Sequence, residues 1–205
     1  MDTGKLHALS QRGMTPILVQ ASTSRVPFAL ASRRVDPAIG ITCSGRIGTV
    51  KEHAVALDLP DLVWSAGAPE PVVLSSESRT VFLFDVSDQA ETGAGERRLA
   101  EFVGCTSLRF GFPNDEALGG HPLYGNGLEF YRAHEVVGST WLAELRRIES
   151  THPQAFATPF PDARHYLLAF HDSILEAVAT GVRVIATYAS DAEALDAAVR
   201  EISGQ

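Results

Sequence analysis

The chain has 205 residues, 45% hydrophobic and 20% charged, with a formal net charge of -8 at pH 7. That apolar fraction supplies a folded core, which excludes wholesale disorder, and the acidic balance repels a phosphate backbone, which excludes nucleic acid as a default partner. No stretch approaches the roughly 18 consecutive apolar residues of a membrane helix, and the start, MDTGKLHALSQRG, lacks the basic and apolar regions of a secretory leader. The expectation is a cytoplasmic protein without a membrane partner.

In the first half, short runs rich in valine, isoleucine and phenylalanine predict strands at 16–20, 38–50, 54–64 (broken at Pro60) and 80–86. Val55, Leu57 and Leu59 alternate with Ala56 and Asp58, the period of a half-buried strand. Asp36-Pro37, the stretch from Gly67 to Pro71 and that from Ser75 to Ser78 punctuate them as loops. Strands at this spacing with little helix between them point to antiparallel sheet. The polar stretch 87–98, SDQAETGAGERR, reads as a loop, and any internal boundary in an otherwise single domain of residues 1–205 belongs there.

In the second half, 105–112 reads as a strand, 113–127 as a long turn-rich segment and 128–137 as extended again. Ser139 is a fitting N-cap for a helix with Trp141, Leu145 and Ile148 on one face, stopped by His152-Pro153. Strands follow at 164–170 and 174–187, with a turn at His171-Asp172-Ser173. Ser190 and Glu193 form a capping box ahead of Leu195, Ala198, Val199 and Ile202 at helical spacing, and Gly204 stands at the C-terminal glycine position. The fold class predicted is α+β, a largely antiparallel β-sheet carrying two amphipathic helices from the C-terminal half.

No motif names an activity. Residues 109–135, RFGFPNDEALGGHPLYGNGLEFYRAHE, concentrate polar groups among glycines and prolines, and long ordered loops are where binding residues gather. Gly120 and Gly125 have the first spacing of a phosphate-binding loop, but Asn126-Gly127 stands where lysine and serine or threonine belong, which removes the phosphate and magnesium donors. HExxH is absent, so a divalent metal would need His121 and His171 to converge with Asp172 or Glu116; cofactor identity stays open. The two cysteines, Cys43 and Cys105, lack CxxC spacing and read as buried reduced thiols. Ser44 lacks the G-x-S-x-G elbow, and Trp64 and Trp141 read as core.

The stretch HYLLAFHDSILE holds His165, His171, Asp172 and Glu176. At ~3.3 Å per residue an extended strand separates the two histidines by about 20 Å, so one compact site cannot hold both. His165 reads as structural. His171, Asp172 and Glu176 converge only if the turn has begun, the alternative being a plain Asx-type turn. The leading expectation is an enzyme or enzyme-like pocket for a polar small molecule. Its acid–base groups would be His121 and His171, with Glu116 and Asp172 as carboxylate partners and Arg109, Asn114 and Tyr124 as substrate contacts. The rival is a non-catalytic protein that recognises a protein partner through residues 113–127.

Overall fold

In the computed structural model, which describes residues 50–67, 69–86, 96–154 and 156–204, Phe82, Phe84 and Phe102 of one sheet meet Tyr166 and Leu168 of another. The chain divides into two units, Met1–Gly45 and Arg46–Gln205, and the described residues belong to the second. The strand expected at 16–20, nearly all of that at 38–50, Cys43, Ser44 and residues 87–95 of the polar stretch lie outside the described residues.

Among the described residues there are nine strands: β1 His53–Ala56, β2 Val72–Ser75, β3 Thr80–Asp85, β4 Arg97–Val103, β5 Ser107–Gly111, β6 Ala133–Val137, β7 Arg164–Ala169, β8 Ile174–Ala179 and β9 Gly181–Tyr188. They form a five-stranded sheet in the order β1-β6-β7-β8-β5 and a four-stranded sheet in the order β2-β3-β4-β9. Every strand pair is antiparallel. The helices are α1, Thr140–Glu149, and α2, Asp191–Ser203. The class is therefore α+β with both helices in the C-terminal half, and the expected sheet is two sheets.

Strand alternation explains the layers. Phe82, Phe84, Ala100 and Phe102 face Tyr166, Leu168, Leu175, Ala177 and Ala179 between the sheets, with Trp64 and Phe170 closing the edge. Each large side chain buried there contributes about 1.5–3 kcal/mol. The other face of the four-stranded sheet, Val81, Leu83 and Leu99, carries α2 through Ala194, Ala197 and Ala198. The other face of the five-stranded sheet is covered twice. Leu118 and Leu123 of the turn-rich segment and Leu128 just after it lie on Leu167, Ala169 and Ile174, and Trp141 and Leu142 of α1 pack with Ala163 and Val178. Among the described residues no helix is long and apolar enough to cross a membrane.

Local chemistry sets the helix ends as predicted. Ser139 Oγ accepts from Leu142 N at 3.0 Å, Ser190 Oγ accepts from Glu193 N at 3.4 Å, and Gly204 adopts φ 70°. The buried faces differ from the expected ones. Leu195 and Val199 are 46% and 45% exposed and Ile148 is 51% exposed, because small alanines in α2 and the Trp141-Leu142 edge of α1 lie against the sheets instead.

Strand boundaries differ too. The run expected at 54–64 stays in a sheet only to Ala56. Arg97 and Arg98, expected in the polar loop, open β4, which pairs with β3 across that stretch. Arg97 is buried against Asp85 and Asp191, each 2.8 Å away, and its Nη1 donates to Glu70 O at 2.8 Å. These pairings let a charged residue occupy a strand that hydropathy does not mark. β2 was not expected. The single strand expected at 174–187 is two, in different sheets, parted at Thr180, whose N and Oγ1 both donate to Val103 O at 2.9 Å.

Candidate functional site

Three outward-facing side chains of the five-stranded sheet meet beside α1. Arg109 on β5 is the Cα partner of Glu176 on β8, and His165 on β7 lies diagonally across from Glu176. His165 Nε2 is 2.9 Å from Glu176 Oε2, and His165 Nδ1 is 2.8 Å from Ser139 Oγ. An ionised carboxylate only accepts, so Nε2 carries the proton that His165 donates to Glu176. In the neutral ring Nδ1 is then the acceptor, and the Ser139 hydroxyl donates to it while its oxygen accepts the Leu142 N–H. The carboxylate and the helix-cap serine together match one tautomer of a buried histidine.

Trp141, in the first turn of α1, receives the Arg109 guanidinium over its ring, Cζ 4.0 Å from the centroid. Glu52 Oε1 accepts from Thr140 N at 2.8 Å and from Thr140 Oγ1 at 3.1 Å. This favourable placement of an anion at a helix N-terminus fixes the adjoining wall. The remaining wall is the turn-rich segment, whose short 3-10 turn, Leu118–Gly120, ends at His121. Leu123 N donates to His121 Nδ1 at 3.2 Å, which leaves the ring proton on Nε2.

Together Glu52, Arg109, His121, Pro122, Leu123, Thr140, Trp141, His165 and Glu176 line a cavity of about 290 Å³. Burial alone would raise the Glu176 carboxyl, but the hydrogen bond from His165 and the positive charge of Arg109 hold it below the ordinary carboxylate range. Burial pushes His121 down, so it is a neutral hydrogen-bond donor near neutral pH. A further cavity of about 260 Å³ along Leu59–Leu62 and β9 has, among the described residues, only Asp61 and Arg183 as charged lining, and Arg183 is engaged by Glu101 at 2.7 Å.

Comparison with protein-family models, curated proteins and solved structures finds no match. The site must therefore be read from its own chemistry.

Of the seven residues expected to act on or contact a substrate, Arg109 and His121 line this cavity and His171, Glu116, Asp172, Asn114 and Tyr124 do not. His171 stands in a second, more exposed cluster. Its Nδ1 is 3.0 Å from Asp172 Oδ1, its Nε2 is 3.7 Å from Asp115 Oδ2, and its ring stacks on Tyr131 at 6.2 Å. Tyr131 Oη donates to Asp115 Oδ2 at 2.5 Å. Glu116 is exposed near His171 and adds to the acidic field that raises it, after the dominant hydrogen bond to Asp172. Asn114 Oδ1 accepts from Ala117 N at 3.1 Å and shapes the turn, and Tyr124 is 48% exposed with its ring edge toward Phe130.

Two expectations are corrected here. Glu176 converges on His165 rather than on His171, and His165 is a member of the site rather than a structural residue alone. The β7–β8 hairpin is the reason: with Ala169 opposite Ile174, the fold about the predicted turn brings Glu176 onto the face of His165. Ser139, Trp141 and Glu52 are the site members that sequence reasoning missed, while it set His165 aside as structural and tied Glu176 to His171. The predicted turn already contained the signal for His165 and Glu176, since the hairpin register follows from it. Among the described residues no three histidine, cysteine, aspartate or glutamate side chains are grouped so as to hold a metal ion.

Chemically, the cavity combines a fixed cation, an ionised carboxylate backed by a histidine and a serine, and a second, neutral histidine presenting an N–H. That set can anchor a polar molecule, accept a proton from it and donate a hydrogen bond to an atom that gains negative charge.

Proposed function

We propose that the protein is an enzyme that transfers a proton on a polar small molecule bound between the five-stranded sheet, α1 and the turn-rich segment. The observation that carries this reading is the Ser139–His165–Glu176 chain ending in the same cavity as His121 and Arg109. Glu176 accepts the proton. His165 positions the carboxylate and stabilises its charged form, and Ser139 holds His165 in the required tautomer. His121 Nε2–H faces the oxygen or nitrogen on which charge develops, and Arg109 holds the substrate. Ser139 is not the nucleophile in this scheme, because its oxygen is buried and engaged with both Leu142 N and His165.

The test is solvent exchange. Pools of small polar metabolites are incubated with the protein in deuterium oxide, and loss of carbon-bound proton signals is followed by NMR. The expected result is exchange into one ligand that Glu176→Gln abolishes and Tyr124→Ser leaves intact. Exchange that is unchanged in Glu176→Gln would refute the assignment.

A second reading, recognition of a protein partner by residues 113–127, is favoured by exposed aromatics at and beside that segment. Phe112 is 83% exposed, Tyr124 48% and Phe130 44%. Its mark would be a cross-linked partner lost in Phe112→Ser/Tyr124→Ser and retained in Glu176→Gln.

A further inference from the structure

The charges of the cavity constrain what it holds. Its permanent cation is Arg109, and two carboxylates, Glu52 and Glu176, share the lining. The guanidinium of Arg109 rests with one face on Trp141, and among the described residues its edge N–H donors have no hydrogen-bond or carboxylate partner. Stacking of this kind holds a guanidinium in place without using its donors, and the planar fork that remains matches a carboxylate in bidentate fashion. Glu52 is occupied by the first turn of α1. Glu176 has one oxygen occupied by His165 and a second with no protein donor among the described residues.

We propose that the ligand of this cavity is a small monocarboxylate that also carries a hydroxyl or ammonium group, its carboxylate on Arg109 and its donor on the open oxygen of Glu176. The inference rests on the proton-transfer reading for the site, and it adds the class of molecule. A phosphate ester fits less well. It brings close to two negative charges beside one cation and two carboxylates, whereas a carboxylate brings one and its donor group faces the carboxylate side. The walls contributed by Pro122, Leu123 and Trp141 are apolar, so a short hydrocarbon portion completes the match.

The experiment is binding alone, read from the Trp141 indole and His121 imidazole signals of the full-length wild-type protein by NMR. The probes are leucine and 2-hydroxy-4-methylpentanoate, which have both groups; 4-methylpentanoate, which lacks the donor; leucinol, which lacks the carboxylate; and isopentyl phosphate. Leucine or its hydroxy analogue is expected to shift both signals, with 4-methylpentanoate and leucinol weaker by on the order of tenfold or more. Arg109→Gln removes that advantage over leucinol, and Arg109→Lys restores only part of it, since lysine lacks the fork. Equal or stronger shifts with leucinol or isopentyl phosphate overturn the proposal. So does undiminished carboxylate binding in Arg109→Gln, or the absence of shifts from all five probes. Carboxylate binding without any solvent exchange upholds the ligand class and removes the proton-transfer role; exchange into a ligand without a carboxylate does the reverse.

Discussion

His165 and Glu176 are joined by a 2.9 Å hydrogen bond that runs diagonally across the β7–β8 hairpin, since their Cα partners are Val178 and Leu167. Diagonal neighbours on one face of an antiparallel pair are within reach of long side chains. Here the reach matters because His165 is 3% exposed and its Nε2–H has this carboxylate as its partner.

Replacement of Glu176 therefore separates chemistry from stability. Glu176→Gln keeps an oxygen that accepts from His165, and the expected stability change is below about 1 kcal/mol. Glu176→Leu leaves the buried Nε2–H facing carbon, and the expected loss is about 1–3 kcal/mol. Both variants lose proton transfer. Urea unfolding midpoints measure the difference, and equal midpoints for the two variants would contradict the bond's role.

The parts of the fold legible in the sequence were those with a local cause. Ser139, Ser190 and Gly204 announce helix ends through hydrogen bonds made within one turn, and 80–85 and 164–169 announce strands through short apolar runs. The passage of the chain from one sheet to the other at Thr180 has no such cause: the same valine-rich run serves both strands, and the bend depends on Val103 O, far away in sequence. The site divides the same way. His121 and Arg109 stand out in the polar stretch 109–135, but His165 and Glu176 become partners only through hairpin register, and Trp141 meets Arg109 only when α1 packs on the sheet.

Acid sensitivity follows from opposed histidine environments. His134 is fully buried, its Nε2 accepting from Glu129 N at 3.0 Å, and burial pushes it below the ordinary histidine value, as it does His121. A depressed folded value means that the unfolded chain binds the proton more tightly. The stabilisation these neutral rings represent is complete above about pH 6.5 and is lost as pH falls through their folded values. Glu176, also depressed, adds a contribution complete above about pH 4.3 and lost below its folded value. His171 has the opposite sign: the hydrogen bond to Asp172 raises it, so its contribution is present below about pH 6.5 and fades as pH rises through the raised value. Imidazole NMR titration should order His171 above His121 and His134. A His134 midpoint above that of His171 would invert the assignment.

Gly127 is the glycine on which the cavity wall depends. Its φ is +91°, and a Cβ there would lie 2.0 Å from Ala54 O. Ala54 N donates to Asn126 O at 2.8 Å, so the same contact ties the turn-rich segment to β1. Gly127→Ala combines a left-handed backbone with a backbone clash, and the expected loss is about 2–4 kcal/mol. Gly119→Ala is the control, since its Cβ would meet open space and its φ is outside the left-handed range. Its expected change is within about 0.5 kcal/mol. Thermal unfolding of the two variants tests the contrast; similar melting temperatures would count against it.

Trp64 offers a different balance. Its ring packs 4.6 Å from Phe170 and 6.1 Å from Phe84, centroid to centroid, yet its buried Nε1–H has no partner among the described residues. An unpaired buried donor opposes folding by about 1–3 kcal/mol, and loss of part of an aromatic ring leaves a void with a penalty of similar size. In Trp64→Phe the two effects oppose each other, so the net change is expected below about 1 kcal/mol. Trp64→Leu removes the same N–H but also two aromatic pairs, each contributing about 0.5–1.5 kcal/mol, and it should be clearly the less stable variant. The chain has two tryptophans, so Trp64→Phe also leaves Trp141 as the sole indole, whose emission then reports on Arg109 and the cavity. Equal losses in the two variants would mean that the aromatic pairs contribute nothing, and a large loss in Trp64→Phe would mean that Nε1–H is satisfied after all.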